Sequence, residues 1–168
     1  FISEITYQTI IDHPNKASAF VFFNSLDDCC QAVTTLRLRA SVEAVELFDG
    51  PSLRNIAGFR KDLPEFFYTE ISNEAACLLI ETKAADAATL HTQITEIDQI
   101  LSEFHYADYT HFQTDPTVTD LYWNVRKGLL PMASAGRPKG SNMLTEDIVF
   151  PIERLAEGVR RLNQMFAK

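Results

Sequence analysis

The chain has 168 residues, 46% hydrophobic and 23% charged, which gives one domain with enough apolar material for a core and excludes a disordered chain. Its formal net charge of −8 argues against nucleic acid as a partner, because phosphate binding needs a basic surface. No apolar run approaches the length of a membrane span, and none has the pattern of a signal peptide.

Taken in order, Phe1–Ile11 alternates imperfectly through Ile2, Ile5, Tyr7, Thr9 and Ile11, which predicts a strand. His13-Pro14-Asn15-Lys16 breaks it and reads as a linker. Ala19–Phe23 is a continuous apolar run suited to a buried central strand. Ser25 with Asp28 has the form of a helix start, and Leu26, Cys29, Cys30, Val33 and Leu36 supply the stripe of that helix. Ala44–Asp49 predicts another strand, ended by Gly50-Pro51. In Ser52–Ser72, the residues Leu53, Ile56, Ala57 and Phe59 suggest a short helix. Gly58 and Pro64 limit regular structure there, and Phe66–Tyr68 reads equally as strand or loop.

A second round begins at Ala75. Ala76–Glu81 is a buried strand, and Leu90, Ile94, Ile97, Leu101 and Phe104 define a long amphipathic helix. Tyr109–Thr114 returns as a strand. Asp115 then caps a helix with Pro116 at its first position. Val118, Leu121, Tyr122, Val125 and Leu129 form its buried face, and Gly128 and Pro131 mark its exit. Pro131–Asn142 reads as a long Gly- and Pro-rich loop, Met143–Phe150 as a closing strand, and Pro151 as the start of a last helix whose Ile152, Leu155, Val159, Leu162 and Met165 face inward. Gly158 weakens that helix by about 1 kcal/mol relative to Ala. Both rounds run strand, helix, strand, then an Asp-x-Pro or Asp-Pro break. The fold class this predicts is α+β, a ferredoxin-like antiparallel sheet of two strand–helix–strand units with helices on one face.

Self-contained chemistry is scarce. There is no Gly-x-Gly-x-x-Gly, phosphate loop or Gly-x-Ser-x-Gly. His13, His91, His105 and His111 are scattered, with no second ligand at a metal-binding interval. Cys29, Cys30 and Cys77 are an odd set without zinc-ligand spacing; they read as small core apolars in a reducing, cytoplasmic setting. Glu46, Asp49 and Glu81 read as strand-edge carboxylates. What remains is a group of cations around the helix after Asp115: Arg126, Lys127, Arg137 and Lys139. In so acidic a chain, local positive charge beside a loop suits a small carboxylate ligand, but on the residues alone a surface loop kept soluble by charge is the commoner reading. Arg126 lies one turn beyond Tyr122 and Trp123, so aromatic packing is expected to brace its guanidinium while the fork stays free.

Trp123-Asn124-Val125-Arg126, followed by Glu146-Asp147-Ile148-Val149-Phe150-Pro151, resembles the C-terminal domain of FAD-linked oxidases. That group holds D-lactate dehydrogenases, the glycolate oxidase flavin subunit and D-2-hydroxyglutarate dehydrogenases, within the vanillyl-alcohol oxidase superfamily. Phe20–Phe23 with Ser25–Val33 is similar to the domain's first strand and helix, and Val45–Asp49 to its Glu-Leu-x-Asp strand. Ile2–Thr6 is similar to the tail of the flavin-binding domain. The resemblance implies a division into residues 1–12, tail or linker, and 13–168, a substrate or cap domain truncated at its C-terminal end. The chain itself begins inside an expected strand and stops after a helix, as a piece of a longer polypeptide does.

The resemblance further implies an enzyme that passes the hydride of a D-2-hydroxy acid to FAD held mainly outside this chain. Arg126 is implied to bind the substrate carboxylate. Some members carry a Lys just before the Asp of the second motif; here Thr145 and Glu146 stand nearby, and Arg137 or Lys139 is the candidate replacement. The family's His-containing, Gly-rich motif, with its metal ligands, is expected beyond Lys168. The basic 131–142 stretch is similar to larger members fused to an iron–sulfur domain. The expected partners are a small 2-hydroxy acid and a flavin-binding domain of the same polypeptide, in a cytoplasmic protein, peripheral to a membrane at most. The competing expectation is a free-standing ferredoxin-like module that binds a ligand or partner without redox activity.

Overall fold

The computed structural model describes residues 2–142 and 148–167. Its elements are β1 (Asn15–Phe23), α1 (Leu26–Arg39), β2 (Ala44–Asp49), α2 (Gly50–Phe59), β3 (Ala76–Ala84), α3 (Ala87–Leu101), β4 (Asp108–Tyr109), α4 (Pro116–Gly136) and α5 (Leu155–Phe166). Single 3-10 turns lie at Glu65–Tyr68 and Ile152–Arg154.

The strands form one antiparallel sheet in the order β2-β3-β1-β4. This is the ferredoxin-like order, in which α1 and α3 each join a central strand to an edge strand. β1 and β3 pair along their full lengths, from Asn15 opposite Ala84 to Phe23 opposite Ala76. Their alternation sets the two sides of the sheet. Val21, Phe23, Leu78 and Ile80 pack with Cys29, Leu36 and Ile97 of α1 and α3. Phe20, Phe22, Cys77 and Leu79 face the other way, onto Leu53 and Ile56 of α2 and Tyr122 and Val125 of α4. Helices therefore cover both faces, α1 and α3 in the expected place and α2 and α4 on the opposite side. Each buried Phe or Leu contributes about 1.5–3 kcal/mol, and Phe20, ringed by Phe48, Phe66, Phe67 and Tyr122 at 4.6–6.3 Å, centres the second face.

Several helix starts follow the sequence directly. Ser25 accepts from the Asp28 N–H at 3.2 Å, and Asp115 from the Thr117 N–H at 2.8 Å. Gly50-Pro51 is a correction: it opens α2 instead of merely ending β2, with Asp49 accepting from the Ser52 N–H at 2.9 Å. Both Asp-Pro breaks are thus N-caps, and the duplication extends to α2 and α4.

Other expectations are revised. Residues 2–14 form no strand, and Ile2, Ile5, Tyr7, Ile10 and Ile11 are exposed: their alternation has no neighbouring strand to pair with among the described residues. Asn15 and Lys16 belong to β1 and not to a linker. Phe66 and Phe67 are core residues of a 3-10 turn. The return to the sheet at 108–113 is broken after Tyr109 by His111 at φ 55, a left-handed kink that interrupts the ladder before Gln113 bridges to Ser18. Neither Gly128 nor Pro131 ends α4, which continues to Gly136, so only 137–142 of the expected loop is non-helical. Of the closing strand expected at 143–150, residues 143–147 lie outside the described residues and 148–150 have no strand structure. Pro151 precedes the 3-10 turn that leads into α5. α5 packs against α1 but buries no residue fully, and Met165 is exposed. Gly158 has a packing reason: a Cβ there would meet the Phe150 ring at 2.5 Å.

Candidate functional site

On the face covered by α2 and α4, the apolar surface of the sheet gives way to polar residues beyond Phe20 and Leu79. Ser18 of β1, Glu81 and Lys83 of β3, and Glu46 of β2 come together here beneath Trp123 and Arg126 of α4. Sheet alternation puts Ser18 in line with Phe20, Glu81 with Leu79, and Glu46 with Phe48. Helical spacing puts Trp123 and Arg126 on one border of α4, because Tyr122 and Val125 take the buried face.

The inner part is a relay of hydrogen bonds. The Trp123 indole N–H donates to Ser18 Oγ at 3.1 Å, and the Ser18 hydroxyl donates in turn to Glu81 Oε2 at 3.4 Å. Lys83 lies 3.3 Å from Glu81, 3.5 Å from Glu43 and 3.4 Å from Asp12. Burial alone would lower the Lys83 pKa, but Glu81, Glu43 and Asp12 together raise it. Lys16 and Lys83 hold Asp12 below the ordinary carboxylate range, Lys16 the more strongly.

The outer part is Arg126. Its side chain is 51% exposed, and its Nε donates to Glu46 Oε1 at 3.0 Å. The brace is a carboxylate and not the expected aromatic face: among the described residues the cation over a ring is Lys61 on Tyr68. Neither terminal nitrogen of Arg126 has a partner among the described residues. Lys83 is enclosed by carboxylates, whereas Arg126 keeps a two-nitrogen edge that can meet a planar anion.

Arg137 and Lys139 are placed elsewhere. Arg137 is the C-cap of α4, eleven residues from Arg126, which is about 16 Å along a helix axis. Lys139 is exposed in the turn beyond it. The described residues do not bring either cation to Arg126. His91, His105 and His111 are exposed, and among the described residues no three His, Cys, Asp or Glu side chains converge as metal ligands do. The cysteines are core residues: burial pushes the Cys29 and Cys77 thiols well up, and Cys30 up to about 11. A groove of about 390 Å³ between α1 and α5 lies over the other face of the sheet and shares no residue with the Arg126 site. Among the described residues no helix is long and apolar enough to cross a membrane.

Glu46 and Ser18 are the residues that sequence reasoning missed. Glu46, expected only as a strand-edge carboxylate, carries a signal in lying inside Val45–Asp49, the segment similar to the family's Glu-Leu-x-Asp strand. Ser18 carries none, because its role depends on a helix a hundred residues away.

The model of one family, FAD linked oxidases, C-terminal domain, matches residues 12–168. The chain belongs to that family. No curated protein matches it. Membership makes this an FAD-linked oxidoreductase domain and implies a flavin-binding domain alongside it in the same polypeptide.

The starts of α1, α2, α3 and α4 do not suit the dinucleotide's pyrophosphate. A pyrophosphate is favoured at a helix start by free N–H groups and disfavoured there by negative charge close by. The starts of α2, α3 and α4 are filled by the Asp49, Asp86 and Asp115 carboxylates. α1 is capped by Ser25 and carries Asp27 and Asp28 in its first turn. These helices would repel phosphate, so a role beside the cofactor suits this chain better than a role around it.

Proposed function

We propose that residues 13–168 are the substrate or cap domain of an FAD-dependent enzyme that oxidises a D-2-hydroxy acid of the lactate, glycolate or 2-hydroxyglutarate class. A flavin held on the neighbouring domain would supply the hydride acceptor. This chain's part is to bind and orient the acid. The observation that carries the reading is the half-exposed Arg126 guanidinium, which among the described residues is engaged only through Nε. Its free edge matches the two oxygens of a carboxylate, and two parallel hydrogen bonds fix the acid's orientation as well as its position. Lys83 is unsuited to that task because three carboxylates already surround it. In this reading Arg137 and Lys139 enter as more distant cations that attract the anion.

The test is Arg126→Lys and Arg126→Met in the full-length, FAD-loaded protein, assayed on D-lactate, glycolate and D-2-hydroxyglutarate. The expected result is a fall in kcat/KM on the order of a hundred-fold for Met, with Lys recovering only part of it. Kinetics unchanged in both variants overturn the assignment.

A further inference from the structure

We infer that Glu46 is a positioning residue for the Arg126 site: its carboxylate holds the guanidinium by Nε so that only the end-on pair of terminal nitrogens is offered to a ligand. This rests on the reading of Arg126 as the carboxylate-binding group.

The argument starts from the shape of guanidinium. It can meet a carboxylate along its side, through Nε and one terminal nitrogen, or at its end, through both terminal nitrogens. Here Glu46 Oε1 takes the Nε proton at 3.0 Å, which closes the side-on edge. Arg126 is on the exposed border of α4, and a free side chain there would sample many rotamers. Glu46 belongs to β2, an edge strand paired to β3 along its length, and its backbone is fixed opposite Leu79. A flexible cation is thereby tied to a rigid sheet, and the direction of its open end is set by the strand and not by the helix alone.

A carboxylate beside an anion site has an opposite effect as well. Its charge repels the incoming acid and competes for the same cation. The two roles give effects of opposite sign. If Glu46 orients Arg126, its removal weakens the binding of a carboxylate ligand. If it merely occupies Arg126, its removal strengthens that binding.

The probe is oxalate, which presents planar carboxylates and has no C–H to oxidise, with its Kd measured by calorimetry on the full-length, FAD-loaded protein. Glu46→Ala is expected to raise the Kd about ten-fold or more. Glu46→Gln, which keeps an acceptor at the same place without the charge, is expected to stay within about three-fold of the parent. Glu46→Asp, which keeps the charge but withdraws it by one methylene, is expected to behave like Ala. Melting temperature should barely move in all three, because the ion pair is at the surface. A Kd that tightens or stays constant in Glu46→Ala overturns the proposal, as does Glu46→Gln binding as weakly as Ala. Arg126→Met measured alongside separates the two ideas: a Kd unchanged in that variant defeats the underlying reading of Arg126, whatever Glu46 does.

Discussion

Trp123 and Ser18, 105 residues apart, are joined by a 3.1 Å hydrogen bond from the indole N–H to a hydroxyl with no solvent exposure. Ser18 also exchanges backbone hydrogen bonds with Gln113, at 3.0 Å and 2.9 Å, just before α4 begins. One residue of β1 therefore holds both the approach to α4 and its first turns. Ser18→Ala leaves the indole donor without this acceptor, and Trp123→Phe leaves the hydroxyl without this donor. Each change is expected to cost about 1–3 kcal/mol in urea denaturation. Because the two remove the same bond, the double variant should be less destabilised than the sum of the single ones. Strict additivity would mean that the bond contributes nothing to seating α4.

The contact between α1 and α5 carries a pH dependence. Hydrogen bonds from Arg160 and then Gln31 hold the Asp27 carboxyl below its ordinary value. A depressed folded pKa contributes stability that is fully present above the unfolded value near 3.8 and is lost as pH falls through the folded value. The urea midpoint of the parent should thus fall further between pH 6 and pH 3 than that of Asp27→Asn. Both side chains are substantially exposed, so the difference should be small and should shrink in salt. Equal acid sensitivity in the two proteins would show that this pair does not contribute.

The central parts of the fold were legible because local and tertiary preferences agree there. Ala19–Phe23 and Ala76–Ile80 are apolar on both faces, as a sheet covered on both sides requires, although the expected architecture had helices on one face only; the Ser25 cap needs no tertiary help. The arm before Asn15 misled because alternation expresses a β preference only where a partner strand is present. Asp49-Gly50-Pro51 reads in sequence as a stop, although the same Asp-Pro signal reads as a start at Asp115. Leu53 and Ile56, both fully buried in α2, do suggest a short helix, but Gly58 and Pro64 limit it and nothing local ties its start to Asp49. Gly50 itself is required by packing, since a Cβ there would lie 2.1 Å from the Ser72 carbonyl oxygen. At the candidate site, Arg126 was visible because helix period and motif both pointed to it. Glu46 and Ser18 were not, because no local pattern tells which strand residue will lie beneath a distant helix.

Pro131 lies in the interior of the helix that bears Arg126. A proline in a helix interior removes one backbone hydrogen bond and costs about 3 kcal/mol relative to Ala. α4 nevertheless runs on to Gly136, and two features of its surroundings explain why. The carbonyl deprived of its partner is that of Lys127, an exposed residue, so water can satisfy it. On either side of Pro131, Leu129 and Met132 pack against the Phe20 cluster, and that burial offsets the local cost. Pro131→Ala should therefore stabilise the domain, by about 1–3 kcal/mol in urea denaturation. The restored N–H of residue 131 should exchange slowly with solvent, as a hydrogen-bonded helical amide does. If the variant is instead less stable, the bend that proline introduces is itself needed for the packing of Met132, and the second half of α4 is shaped by its proline instead of tolerating it.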